Sequence, residues 1–161
     1  MAGATREEAK TIATVTREWK AEMGEVRVRL TLSNWMDEQD ARRDQTPADR
    51  IRRVEVDALV DAGSTFLVVP AYVSGQLGLR VLGRSYVRGT DGAKVLRDRV
   101  GIVTIDLMGR RAEVEAIVEP ERSCALLGQI PLYLLDLWVD ARTLRLVPNP
   151  DSPDGPLSDM Q

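Results

Sequence analysis

Ala58-Leu59-Val60-Asp61-Ala62-Gly63-Ser64-Thr65 is the stretch whose reading decides the fold. Upstream, Val54, Val56, Ala58 and Val60 alternate with Glu55 and Asp57, the period-two pattern of a half-buried strand, and the alternation stops at Asp61. A carboxylate therefore stands where a strand ends. Gly63 permits the chain to turn tightly behind it, and Ser64 offers a hydroxyl that can hydrogen-bond the carboxylate and hold its orientation.

Working outward from this loop, the signals are mostly those of short strands. Val26, Val28, Leu30 and Leu32 alternate with Arg27, Arg29 and Thr31 in a second half-buried strand. The charged segment 34–53 between the two strands reads as an exposed insertion, with a short turn of helix begun by Thr46 and Pro47. After Pro70, residues 71–77 are expected to make one or two helical turns closed by Gly78. Tyr86 to Arg99 forms a hairpin around the tip Gly89-Thr90-Asp91-Gly92. A second hairpin turns at Gly109, between Val103, Ile105, Leu107 and Val114, Ala116, Val118. Ala125 to Gly128 is apolar, Pro131 lies in the first turn of a short helix reaching Leu137, and Leu144 to Val147 offers a last strand.

Both ends differ from this pattern. Thr5 and Glu8 form a capping-box pair ahead of Ile12, Val15 and Trp19 at helical spacing, so residues 1–23 read as a helical extension, packed peripherally or docked on a partner. Residues 149–161 are rich in proline and polar side chains and are expected to be disordered. Between them, 24–148 reads as one mainly β domain, closed or nearly closed.

Composition narrows the chemistry. Of 161 residues 43% are hydrophobic and 29% charged, as in an ordinary globular chain, and the net charge of -3 comes without a basic block that would grip nucleic acid. There is no histidine, so neither a Ser-His-Asp nor a Cys-His site can be built, and histidine-bearing zinc sites go with them. The single Cys124 cannot close an internal disulfide, and its apolar surroundings point to a packed thiol. No cofactor or metal is expected, since Asp and Glu do not cluster at ligand spacing. Without a membrane-spanning run or a signal-like N-terminus, the expected location is the cytoplasm.

The quoted stretch, together with Leu67, Val68, Val69 and Pro70, resembles the active-site loop of clan AA, the retropepsin-like aspartic proteases. Leu126-Leu127-Gly128 matches the hydrophobic-hydrophobic-Gly element of that family, and the Tyr86 to Arg99 hairpin lies where the family has its flap. The similarity spans roughly Gly24 to Pro148 and is nearest to small bacterial and archaeal members. It implies a closed β-barrel of the acid protease fold with one short C-terminal helix, and Asp61 as the catalytic carboxylate. Two carboxylates sharing a proton activate water and polarise a peptide carbonyl, and the chain carries the motif once. The resemblance therefore implies a homodimer with one Asp61 from each subunit, acting on peptide or protein substrates. Ala62 departs from the family, which has Thr or Ser there with a hydroxyl that hydrogen-bonds the partner loop. That departure leaves a second expectation open, a dimeric binding or scaffold domain with weak or no catalysis.

Overall fold

The computed structural model describes residues 24–158 and 160; the helix expected within 1–23 lies outside the described residues. Among the described residues nine strands dominate: β1 (Arg27–Asn34), β2 (Arg53–Val60), β3 (Leu67–Val69), β4 (Arg80–Arg88), β5 (Lys94–Leu107), β6 (Arg110–Val118), β7 (Ala125–Leu127), β8 (Leu137–Asp140) and β9 (Arg145–Pro148). Three short helices accompany them: α1 (Trp35–Arg42), α2 (Ala71–Leu77) and α3 (Gln129–Leu135). Hydrogen-bonded neighbours run β1-β2-β7-β3-β6-β5, and β5 pairs back onto β1, so six strands close into a mixed barrel. The mainly β, closed architecture expected from the period-two signals is the one that forms.

Alternation explains the closure. The inward residues Leu30, Leu32, Val56, Ala58, Leu67, Val69, Val103, Ile105, Ala116 and Leu127 fill one core, while the outward Arg27, Arg29, Glu55 and Asp57 are exposed. Val73 and Leu77 of α2 are fully buried in the same core, and Gly78 ends that helix in a left-handed conformation at φ 58°. The long β5 does two jobs. Its second half pairs with β1 and β6, whereas its first half pairs with β4 in a hairpin that leaves the barrel, the register shifting between Val100 and Val103.

Two segments differ from the sequence reading. Residues 34–53 are not merely a solvated connection: Asn34 caps α1, its side chain accepting from the Asp37 N–H at 3.1 Å and donating to the Leu77 carbonyl at 2.9 Å. Glu38 is buried against Arg111, and Arg52 donates to both oxygens of Asp37 at 2.7 and 2.8 Å. Part of a charged run that reads as solvated is thus paired, Glu38 with a residue far along the chain, while most of 42–53 is exposed. Only the turn after Pro47, a 3-10 helix over Ala48–Arg50, follows the expectation.

The second difference is the segment after Pro148, which is fastened rather than loose as far as it is described. Ser152 is buried; its hydroxyl donates to Asp136, and its carbonyl accepts from Arg110. Arg110, itself buried, also donates to the carbonyls of Leu135 and Asp136, at 3.1 and 3.0 Å. Asn149 and the Leu157 N–H complete the donors around the Asp136 carboxylate, each at 3.1 Å. The Ser152 hydroxyl first, and the Leu157 N–H next, hold that carboxyl below the usual carboxylate range. A polar, proline-rich stretch cannot join a sheet, but it can be tied down by charge-assisted hydrogen bonds to a buried arginine and a carboxylate.

Candidate active site

The loop after β2 is held by the strand that passes beside it. β7 lies between β2 and β3, parallel to the first, with Val60 opposite Leu127, and antiparallel to the second, with Leu67 opposite Leu127. The two ends of the Asp61 loop are thereby clamped to a single three-residue strand. Asp61 N–H donates to the Leu127 carbonyl at 3.0 Å, which fixes the backbone at the first loop residue.

Within the loop the half-buried Asp61 carboxylate gathers donors. Gly63 N–H reaches Oδ1 at 2.9 Å, Ser64 Oγ reaches Oδ2 at 3.0 Å, and Ser64 N–H closes a turn onto the Asp61 carbonyl at 3.1 Å. Donors on both oxygens leave the carboxylate one orientation. Ala62, Gly63 and Thr65 are exposed.

The Leu126-Leu127-Gly128 element meets this loop directly. A Cβ on Gly128 would lie 2.4 Å from the Phe66 carbonyl oxygen and 2.7 Å from that of Ser64, so only glycine lets the two segments pass. Beyond Gly128 the first residues of α3 donate back: Gln129 N–H to the Ser64 carbonyl at 2.8 Å and Ile130 N–H to the Thr65 carbonyl at 2.9 Å. The orphan amides at a helix N-terminus are thus satisfied by loop carbonyls. Gln129 adds its side chain, Nε2 donating to the Ala62 carbonyl at 2.6 Å.

A groove of about 240 Å³ opens beside the loop. Its lining combines Ser64, Thr65, Phe66 and Val68 with Tyr86 and Val87 of the β4 arm, and Ile117, Glu119 and Leu126 complete it. Glu119 accepts from Arg97 Nε at 2.9 Å, so one end of an otherwise largely apolar channel carries an ion pair. Tyr86 is 75% exposed, presenting an aromatic ring that nothing within the described chain covers.

Of the residues singled out from sequence, Asp61 to Thr65 and Leu126 to Gly128 are brought together. The hairpin contributes to the groove through Tyr86 and Val87 rather than through its tip. At the tip, Gly89 N–H donates to the Ala93 carbonyl, Asp91 Oδ1 accepts from Ala93 N–H, and Gly92 adopts φ 82°. Thr90 is exposed there. Cys124 is half-buried, its carbonyl accepting from Arg122. Sequence reasoning missed Gln129, whose only signal is its place directly after Gly128, and the Arg97–Glu119 pair, whose members are 22 residues apart, one in β5 and one just past the end of β6.

No family model matches the sequence, and no curated protein does. Among solved structures, the chain is similar to the retroviral protease-like domain of Ddi1 from Leishmania major, at 15% identity over 84% of this chain and 92% of that one, with a TM-score of 0.49. It is also similar to simian foamy virus (mac) protease, at 22% identity over 48% of this chain and 80% of that one, with a TM-score of 0.38. A third similarity is to EIAV protease complexed with the inhibitor HBY-793, at 23% identity over 48% of this chain and 74% of that one, with a TM-score of 0.36. All three similarities are distant.

Proposed function

We propose that this protein is a retropepsin-like aspartic endopeptidase whose active site forms between two copies of the chain. The observation that carries the reading is the Asp61 carboxylate, held on both oxygens by Gly63 and Ser64, with Ser64 and the residues after it lining a largely apolar groove. One subunit supplies one such carboxylate, and a two-fold axis beside the loop supplies the second. Two carboxylates that close share one proton, because both cannot ionise together. The ionised member takes a proton from a water molecule as the water oxygen attacks the peptide carbonyl, and the protonated member donates to the carbonyl oxygen; as the C–N bond breaks, the first member passes its proton to the leaving amine and the second regains one from a hydroxyl of the collapsing intermediate.

Each part of the site has a task in this reaction. Gly63 and Ser64 hold the Asp61 carboxylate so that no reorientation is needed when the proton moves. Phe66, Val68, Val87 and Ile117 take apolar side chains of an extended substrate, and the Tyr86 arm of the hairpin covers it. A second reading, a dimeric binding domain without efficient catalysis, is favoured by one observation: Ala62 is exposed beside Asp61 and has only a methyl where a hydroxyl would bridge the two loops.

Cleavage of a mixed peptide library by the purified chain, beside Asp61→Asn and with dimerisation measured in the same samples, tests the proposal. The expected result is a set of cuts that disappears in Asp61→Asn. A confirmed dimer that cuts nothing between about pH 4 and pH 7, a range spanning carboxylate titration, would establish the binding-domain reading instead.

A further inference from the structure

We infer that Gln129 is the positioning residue of the Asp61 loop, acting on the carboxylate through the single peptide unit that joins Ala62 to Gly63. That unit has a carbonyl on one side and an N–H on the other, held in one plane by the partial double bond. Gln129 Nε2 donates to its carbonyl at 2.6 Å, and its N–H donates to Asp61 Oδ1 at 2.9 Å. Because a carbonyl can only accept, it must be the amide nitrogen of Gln129 that faces Ala62. The two bonds form a chain from Gln129 through the peptide to Asp61. A donor on the carbonyl polarises the amide, strengthens its N–H as a donor, and removes the freedom of the plane to rotate away from the carboxylate.

Three features make this more than a surface contact. Gln129 holds the loop at two alternate carbonyls, Ala62 through its side chain and Ser64 through its backbone, so the Gly63 peptide lies between two fixed points. Gly63 has no side chain to lock the backbone by packing, and the loop at 62–63 is exposed, so an external hydrogen bond adds to the turn's own bonds in restraining it. Position 62, finally, is alanine, whose methyl offers no polar group, so its carbonyl is where a side-chain hydrogen bond can reach that residue.

The inference deepens the protease reading, but its first test does not depend on activity. Gln129→Met keeps the length of the side chain and removes the donor, and Gln129→Arg restores a donor. In the purified 161-residue chain, amide hydrogen exchange at Gly63 is expected to speed up about fivefold in Gln129→Met, the worth of one neutral hydrogen bond, with core amides such as Val103 unchanged, and to return toward the original rate in Gln129→Arg. Peptide cleavage should lose kcat by a similar factor with KM little altered, because the groove is untouched, and Gln129→Arg should recover it. Unchanged exchange at Gly63 in Gln129→Met overturns the inference whether or not the protein cuts peptides. A wild-type dimer without cleavage refutes the protease reading alone, and the exchange result still decides the role of Gln129.

Discussion

Gly128→Ala tests the clamp between the two sequence elements most directly. The backbone at Gly128 has φ -89° and ψ -169°, extended values that alanine adopts without strain, so any effect is steric. The added Cβ would sit 2.4 Å from the Phe66 carbonyl oxygen, 2.7 Å from that of Ser64 and 3.0 Å from the Phe66 nitrogen. All three atoms are backbone and belong to the segment joining the Asp61 loop to β3, so relief requires α3 to move off the loop. That movement stretches the Gln129 and Ile130 N–H bonds to Ser64 and Thr65, worth about 1 kcal/mol each, and the overpacking itself costs about 1–3 kcal/mol. The expected loss is about 3–5 kcal/mol, read as a fall in the urea midpoint at fixed protein concentration, because the proposed dimer would add to apparent stability. Peptide cleavage should fall with it. A loss below about 1 kcal/mol would mean that the close passage of the two segments is not rigid, and would refute the clamp as the device that sets the loop.

Gly75→Ala is the opposite case: it lies inside α2 with nothing within 4 Å of the new Cβ, so it should stabilise the chain by about 0.5–1 kcal/mol in the same denaturation assay. Asp136 has its carboxyl lowered by Ser152, Leu157 and Asn149. Its contribution to stability is therefore fully present above the ordinary carboxylate range and is lost as pH falls through the lowered folded value. Asp136→Asn should weaken that acid dependence and make residues 149–158 more susceptible to limited proteolysis at neutral pH; an unchanged pH profile would remove Asp136 from the account. Ala62→Thr should tighten the proposed dimer by about tenfold, from two hydroxyl bonds of about 0.5–1.5 kcal/mol each, measured by sedimentation equilibrium. An unchanged dissociation constant would show that the loops do not meet across the axis.

Much of the barrel was legible because burial in a closed sheet imposes a local period. Leu30, Leu32, Val56 and Ala58 announce their strands by alternation with charged neighbours, and the same alternation places them in the core. The stops were legible for the same reason: Gly78, Gly92 and Gly109 stand at positive φ, where glycine is favoured. The charged residues misled, since a charge in a linear sequence carries no mark of its partner. Glu38 and Arg111 are 73 residues apart, and Arg110 and Ser152 are 42 apart, so segments that read as solvated are tied by groups supplied elsewhere. The short helix, expected to reach Leu137, ends at Leu135, and Leu137 opens β8 instead, because it belongs equally to an apolar helical run and to a strand until β9 pairs with it.

By itself the sequence determined which chemistry was open: no histidine, one Asp-Ala-Gly-Ser loop at a strand end, and a hydrophobic-hydrophobic-Gly element farther on. Tertiary structure alone decided that these two elements meet, because β7 inserts between β2 and β3 and only the folded sheet brings Gly128 against Ser64 and Phe66. It also decided that Gln129 reaches the Ala62 carbonyl and that Tyr86 and Val87 line the groove beside the loop. Period and composition are properties of neighbours along the chain. A hydrogen bond between residues 67 apart, and the volume of a groove, exist only once the barrel has closed.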